Sequence, residues 1–141
     1  MRIIIIGGVA AGAKAAAKSK RLLPDADVHI YTKDTFVSYS SCGLPYYVAG
    51  DFEDWHKLIV RTKEEFEKSG INVHTEHQVT KILPADKKIL VKDLKLGVCN
   101  FVEYDKLIIA TGAAPFIPDI KNTGLKNIFT LRTLEDGINI R

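Results

Sequence analysis

Ile3–Ile6 are four consecutive isoleucines, with no polar position to give the alternation of a half-exposed strand. Together with Arg2, the run predicts a strand buried on both faces, as in a parallel sheet. A glycine turn, Gly7 to Gly12, follows at once, and an alanine-rich stretch from Ala13 to about Leu23 predicts a helix closed by Pro24. Asp27–Tyr31 reads as a second strand and Ile71–His74 as a third. Between them, Val48–Lys57 reads as a loop with a turn at Trp55-His56. Thr62-Lys63-Glu64-Glu65 is a capping box that opens a helix running to Lys68 and stopped by Gly70. From Gln78 the period changes. Val79–Leu83, Lys88–Lys92 and Cys99–Tyr104 read as three antiparallel strands, a β-meander standing where a helix would otherwise connect parallel strands. Lys106–Ala110 returns to the apolar run of the first strand. Asn127–Leu131 predicts one more strand, and Arg132–Ile138 the start of a helix.

The turn Gly7-Gly8-Val9-Ala10-Ala11-Gly12 carries the first chemistry. Strand, glycine turn and helix, in that order, make a dinucleotide site: Gly7 permits the tight turn, Gly12 lets helix and strand pack closely, and the helix N-terminus faces a pyrophosphate. An ordinary strand-to-helix turn is the plainer reading, and the position directly after a buried strand favours the nucleotide. Val9 replaces the middle glycine of GxGxxG. The acidic residue expected on the adenosine ribose about 20 residues further on is also missing, because Thr32 stands there with Lys33 and Asp34 after it. Thr32 as a neutral partner, Asp34, or backbone are the alternatives. Ala110-Thr111-Gly112-Ala113 places a second glycine at the carboxyl end of a strand, where the backbone can approach a ligand.

Ser38-Tyr39-Ser40-Ser41-Cys42-Gly43-Leu44-Pro45-Tyr46-Tyr47 sets one cysteine among hydroxyls and before a glycine. If a helical turn starts here, Cys42 lies near its N-terminus, where unpaired N–H groups favour the thiolate, the form active in disulfide exchange. A buried structural cysteine is the bland alternative. Lys14, Lys18 and Arg21 fall at i, i+4 and i+7 and share a helical face, either a solvated basic stripe or a clamp for an anionic ligand.

Composition narrows the class. A chain of 141 residues that is 46% apolar has enough for a core, as one domain or part of a larger one. A net charge of +3 with interspersed signs argues against a dedicated nucleic-acid surface. Cys42 and Cys99 form no disulfide framework and no CxxC, and Cys99 reads as a core residue of its strand. His29, His56, His74 and His77 have no metal spacing and read as surface residues, with His74 and His77 pointing to different sides. Ile3–Ile6 is too short for a signal segment or a membrane span. The chain therefore reads as soluble and cytoplasmic.

Taken together, Ile3 through Gly12, Ser38 through Tyr47, Leu107-Ile108-Ile109-Ala110-Thr111-Gly112 and Thr130-Leu131-Arg132 resemble the flavin-dependent pyridine nucleotide-disulfide oxidoreductases. The resemblance is to their single-cysteine branch of coenzyme A-disulfide reductases and related coenzyme A-dependent NADH oxidases and persulfide reductases. Val9 follows that branch's habit. The resemblance implies an α/β, Rossmann-like FAD-binding domain over residues 1–115, with a parallel sheet and a β-meander crossover, incomplete in this chain. It implies that residues 116–141 connect toward a nicotinamide-binding domain beginning near Arg141. It also implies FAD at Gly7, Gly8, Val9, Ala10, Ala11 and Gly12, with Thr32, Lys33, Val79 (through its backbone), Thr111 and Gly112. Cys42 is implied as the redox cysteine, and Lys14, Lys18, Arg21, Ser38 and Ser41 as coenzyme A contacts. Ser41 stands where relatives often carry asparagine, and Thr32 where many carry glutamate.

The activity implied is NADH- or NADPH-driven reduction of coenzyme A disulfide, or a related disulfide or persulfide, through Cys42, in a homodimeric full-length protein without nucleic-acid or membrane partners. NADH oxidase or peroxidase chemistry is the runner-up. A non-catalytic FAD- or nucleotide-binding module is the reading from another class. As it stands, the chain is expected not to turn over NADH.

Overall fold

The computed structural model describes all of residues 1–141. β1 (Arg2–Ile6) runs into α1 (Ala10–Leu22), and β2 (Asp27–Tyr31) lies parallel to β1 with Ile4 opposite His29. A 3₁₀ turn at Ser41–Gly43, α2 (Leu44–Ala49), a second 3₁₀ turn at Trp55–Leu58 and α3 (Lys63–Lys68) lead to β3 (Ile71–His74). β4 (His77–Leu83), β5 (Lys88–Asp93) and β6 (Cys99–Glu103) form the antiparallel meander. β7 (Lys106–Ile109) then pairs parallel to β1, giving a sheet ordered β3-β2-β1-β7, and α4 (Leu134–Ile140) follows. The predicted α/β architecture, with a meander as the crossover between β3 and β7, is what the chain adopts.

Alternation along the strands explains the layers. Ile3 and Ile5 of β1, Val28 and Ile30 of β2, and Ile71 and Val73 of β3 pack with Ala13, Ala16 and Phe66 on the helical side. Ile4, Ile6 and Tyr31 face the other way, against Ile89 and Val91 of the meander. Both faces of β1 are covered, and this is why its sequence has no polar alternation. Alanines on α1 let the helix lie close to the sheet. A third cluster of Tyr39, Leu44, Tyr47, Leu58 and Leu134 ties the segment around Cys42 to α4.

Five local expectations change. α1 begins at Ala10 instead of Ala13, because the tight turn ends sooner than the run of small residues suggests. Val48 and Ala49 belong to α2, which closes only at Gly50, a left-handed residue at φ 91°. Asn127–Leu131 forms no strand: it has no ladder partner, and Ile128 and Phe129 are exposed. Cys99 is exposed, because β6 is the outer strand of the meander and Val102 is the residue it turns toward the core. His29 and His74 are partly buried and gather with Tyr31, since β2 and β3 in register bring their alternate positions together, and His77 at the start of β4 joins them on the same side as His74 instead of pointing away from it.

The Thr62 capping box is formed, with Thr62 Oγ1 accepting from the Glu65 amide and Glu65 accepting from the Thr62 amide. Its helix exists to bury Phe66, which is 1% exposed. Truncating the ring should therefore cost far more than removing the cap: Phe66→Ala is expected to lose about 3–5 kcal/mol, and Thr62→Ala about 1 kcal/mol. Urea unfolding of the two variants measures both, and equal losses would contradict the assignment of α3 as a packing element.

Candidate functional site

The carboxyl ends of β1, β2 and β7 meet at one crevice. The Gly7 amide donates to Tyr31 O and the Ala110 amide to Ile6 O, each at 2.8 Å, so both ladders run to the edge of the turn. Gly7 has φ +105°, and a Cβ there would lie 2.2 Å from Ala110 O. A Cβ on Gly12 would lie 1.8 Å from Gly7 O. Neither position can carry a side chain without moving backbone.

The close turn leaves donors over. The first backbone bond of α1 runs from the Ala13 amide to Val9 O, and the amides of Ala10, Ala11 and Gly12 have no acceptor within the protein. No side chain caps this end, the first turn holds no acidic residue, and Ala10 and Ala11 are exposed. Free amides at the positive end of a 13-residue helix form a cradle for a phosphate or diphosphate. The residues present therefore fit the pyrophosphate of a dinucleotide. Val9, where GxGxxG has glycine, packs its side chain against the cluster of Tyr39, Leu44 and Leu134.

Thr32 is buried at the end of β2, and its hydroxyl accepts from the Asp34 amide at 3.3 Å. Lys33 beside it is exposed. Asp34 is partly buried, and burial together with the nearby Glu135 carboxylate raises its pKa above the ordinary carboxylate value. Val79, on β4 opposite Val91, uses its side chain against the meander-side core beside an irregularity in the ladder. Thr111 and Gly112 are exposed just beyond β7.

Ser38 joins the turn directly, its amide donating to Gly8 O at 2.8 Å. It holds the left-handed conformation, φ 49°, while its carbonyl accepts from the amides of Val60 and Arg61. Those bonds over-determine a backbone geometry unfavourable for serine. Cys42 is exposed within the 3₁₀ turn that runs into α2, which sets aside the reading of a buried structural cysteine. With Ser41, Leu44, Pro45, Leu131 and Arg132 it lines an open cleft of about 240 Å³. Beneath it, burial pushes the Tyr39 hydroxyl up to about 12, so that phenol stays neutral.

Arg132 is the residue that motif reading leaves without a role. Its Nε donates to Ala113 O at 2.9 Å, and its Nη2 would stand 2.7 Å from a Cβ on Gly112. One side chain thus spans from the end of β7 to the cysteine cleft. The signal was Thr130-Leu131-Arg132, which carries resemblance but no local chemistry.

The basic stripe divides. Lys14 and Lys18 are exposed and line neither groove. Arg21 lines a second groove, of about 420 Å³, with Lys20, Arg61 and Ser69. Arg61 lies over the Phe66 ring at 4.2 Å and donates to Glu65 O, and Lys20 Nζ donates to Ala26 O. Lys20 and Arg61 are additional cations there that helical spacing alone does not pick out.

Residues 1–141, the whole chain, match the family described as pyridine nucleotide-disulphide oxidoreductase. The chain belongs to that family. It is 36% identical over 138 residues to an NADH oxidase of Methanocaldococcus jannaschii, covering 97% of this chain and 31% of the relative. It is 34% identical over 136 residues to a coenzyme A disulfide reductase of Staphylococcus epidermidis, covering 96% and 30%. Among solved structures, reduced Bacillus anthracis CoADR-RHD superposes with a TM-score of 0.95 at 33% identity, covering 99% of this chain and 25% of that one. The chain thus spans about a third of the length of these curated relatives. The α/β architecture is the Rossmann-like, FAD-binding fold of this oxidoreductase family. No helix is long and apolar enough to cross a membrane.

The turn geometry yields a direct test. Gly12→Ala places a methyl group against the Gly7 carbonyl and should destabilise the chain by about 3 kcal/mol, the upper end for overpacking, because backbone must move. Gly124→Ala, where a Cβ meets nothing within 4 Å, is the control. Thermal unfolding that fails to separate the two variants would refute the close approach.

Proposed function

We propose that this chain is the flavin- and thiol-bearing portion of an FAD-dependent NAD(P)H:disulfide oxidoreductase. Its substrate in this reading is coenzyme A disulfide or a related disulfide or persulfide. The observation that carries the proposal is a solitary, exposed Cys42 in an open cleft on a chain whose glycine turn presents free amides. Residues 1–115 form the FAD-binding portion, and 116–141 connect toward a nicotinamide-binding domain of the full-length enzyme, a cytoplasmic homodimer.

The amides of Ala10, Ala11 and Gly12 hold the FAD diphosphate, with Gly7, Gly8 and Val9 shaping the turn. Thr32, Lys33 and the Val79 backbone serve the adenosine side, and Thr111 and Gly112 the flavin side. Bound FAD supplies two-electron reduction at the expense of NADH or NADPH. The chain's own step belongs to Cys42. Its thiolate attacks one sulfur of the substrate, the S–S bond breaks, the other sulfur leaves as a thiolate that takes a proton from water, and Cys42 remains in a mixed disulfide. Two electrons and a proton then return the Cys42 thiolate and release the second thiol. Dithiol enzymes close this cycle with a second cysteine, but Cys99 is on the outer strand of the meander, so a small-molecule thiol takes that place. The anionic carrier of that thiol is held by Lys14, Lys18 and Arg21, with Ser38 and Ser41 nearer the sulfur. The NADH oxidase relative supports a second reading, in which Cys42 cycles through a sulfenic acid.

Two measurements on the chain test the proposal. With coenzyme A disulfide, the protein should release one equivalent of coenzyme A thiol and gain the mass of one mixed disulfide. Cys42→Ser should abolish this and Cys99→Ser should leave it intact. A reaction confined to Cys99, or none at all, would sink the disulfide reading. Separately, FAD added and then removed by gel filtration should leave a perturbed flavin absorption band, equally in the wild type and in Cys42→Ser. Loss of the band only in Cys42→Ser would mean that the cysteine builds the flavin site instead of acting on substrate.

A further inference from the structure

The sheet face covered by the meander is not wholly apolar. Val28, Ile30, Ile71 and Val73 take the helical side, so β2 and β3 present His29, Tyr31, Asn72 and His74 to the other. His29 Nδ1 lies 3.0 Å from His74 Nε2, and His29 Nε2 lies 2.7 Å from Asp27 Oδ1. The Tyr31 ring stacks on His74 with centroids 4.4 Å apart, and His77 tilts against both. The result is a continuous chain from the Asp27 carboxylate through two imidazoles to an aromatic stack.

An imidazole–imidazole bond sets a proton count. With His29 Nε2–H donating to Asp27, one proton lies between His29 Nδ1 and His74 Nε2, on either nitrogen. Protonating both directs N–H at N–H, and the bond is lost. The neighbouring charges do not relieve this. From β1, Arg2 Nε takes the other Asp27 oxygen at 2.8 Å, and the Arg2 amide donates to Asp105. On the meander side, Asp93 faces His77 at 3.7 Å but already accepts the amides of Lys95 and Leu96, while Glu76 pairs with the Lys95 ammonium. Burial first, then the positive reach of His29, His77 and Lys63, opposed only by Asp27, lowers His74 from its ordinary 6.5 to about 4.

The same residues hold the edge of the crevice. His74 O accepts from the Thr32 amide at 3.0 Å, Thr32 O accepts from the His77 amide at 2.8 Å, and Asp34 O accepts from the Glu76 amide at 3.2 Å. The turn from His74 to His77 therefore clamps the segment from Thr32 to Asp34.

We propose that the Asp27–His29–His74 chain is a pH-sensitive latch: a second proton parts His29 from His74 and frees the His74–His77 turn from the Thr32–Asp34 edge of the crevice. A base whose folded pKa is depressed stabilises the closed form fully above its unfolded value, and that contribution is lost as pH falls from 6.5 toward 4.

Amide hydrogen exchange followed by NMR on the 141-residue chain, as protection factors at pH 7 and pH 5, tests the latch. Protection of the Thr32 and His77 amides should fall roughly tenfold or more over that interval, with β1 amides changing less. His74→Phe, which keeps a ring on Tyr31 but takes no proton, should flatten the dependence. An equal fall in His74→Phe would overturn the proposal. Should that variant not fold, the wild-type His74 imidazole titration decides: protection must already be lost by the pH at which His74 takes its proton, and protonation of His74 with protection unchanged would overturn the latch.

Discussion

The structure depends on one backbone-to-backbone approach. α1 can lie across the end of β1 only because Gly12 brings its bare Cα against the Gly7 carbonyl, while Gly7, in a left-handed conformation, rests on the Ala110 carbonyl at the end of β7. Three elements distant in sequence thereby converge on a few atoms. That convergence has a second effect. A turn so tight cannot also cap its helix, so the amides of Ala10, Ala11 and Gly12 are left without partners. In this chain the packing constraint and the free amides are one feature, since a residue bulky enough to fill the turn would also close the space in front of those amides.

The cysteine segment is held by other contacts. Cys42 itself is exposed, and what positions it is the cluster beneath, where Leu44 and Tyr47 of α2 pack on Leu134 of α4 with Tyr39 and Leu58. Val9 reaches into that same cluster, so its isopropyl group joins the glycine turn to the cysteine cleft. This gives the departure from GxGxxG a physical basis. A glycine at position 9 would spare the turn but lose the contact. Ser38 makes the join a second way, through its amide to Gly8 O, and it accepts a left-handed backbone to do so.

The parts legible from sequence were those governed by local pattern. Ile3–Ile6 identifies a strand covered on both faces, Thr62–Glu65 a capped helix, and the change of period after Gln78 a meander, because each depends on neighbours in the chain. Cys42 beside a helical turn was legible for the same reason. What escaped depends on register and on edges. Cys99 has the pattern of a core position, but its strand is outermost in the meander, and no local signal tells an outer strand from an inner one. Asn127–Leu131 has strand composition without a strand to pair with. His29 and His74 lie 45 positions apart and meet because Tyr31 aligns with His74, a register fixed by the apolar positions on the opposite face.

Arg132 shows the same limit at the site itself. In the sequence it is one more cation before a capped helix. In the fold, the Thr133 capping box sets the start of α4, and Asp136 of that box also accepts from the Arg132 amide. The backbone of Arg132 is thus anchored by the helix that follows it, and its side chain extends the other way, to Ala113 O and over Gly112. An arginine anchored through its backbone amide and again through Nε loses little further freedom on meeting an anion. It is the one cation the structure places between the end of β7 and the Cys42 cleft, where negative charge on a thiolate or a bound cofactor would gather. Its importance follows from an anchor at Ala113, 19 residues before it along the chain, and from no property of its immediate neighbours.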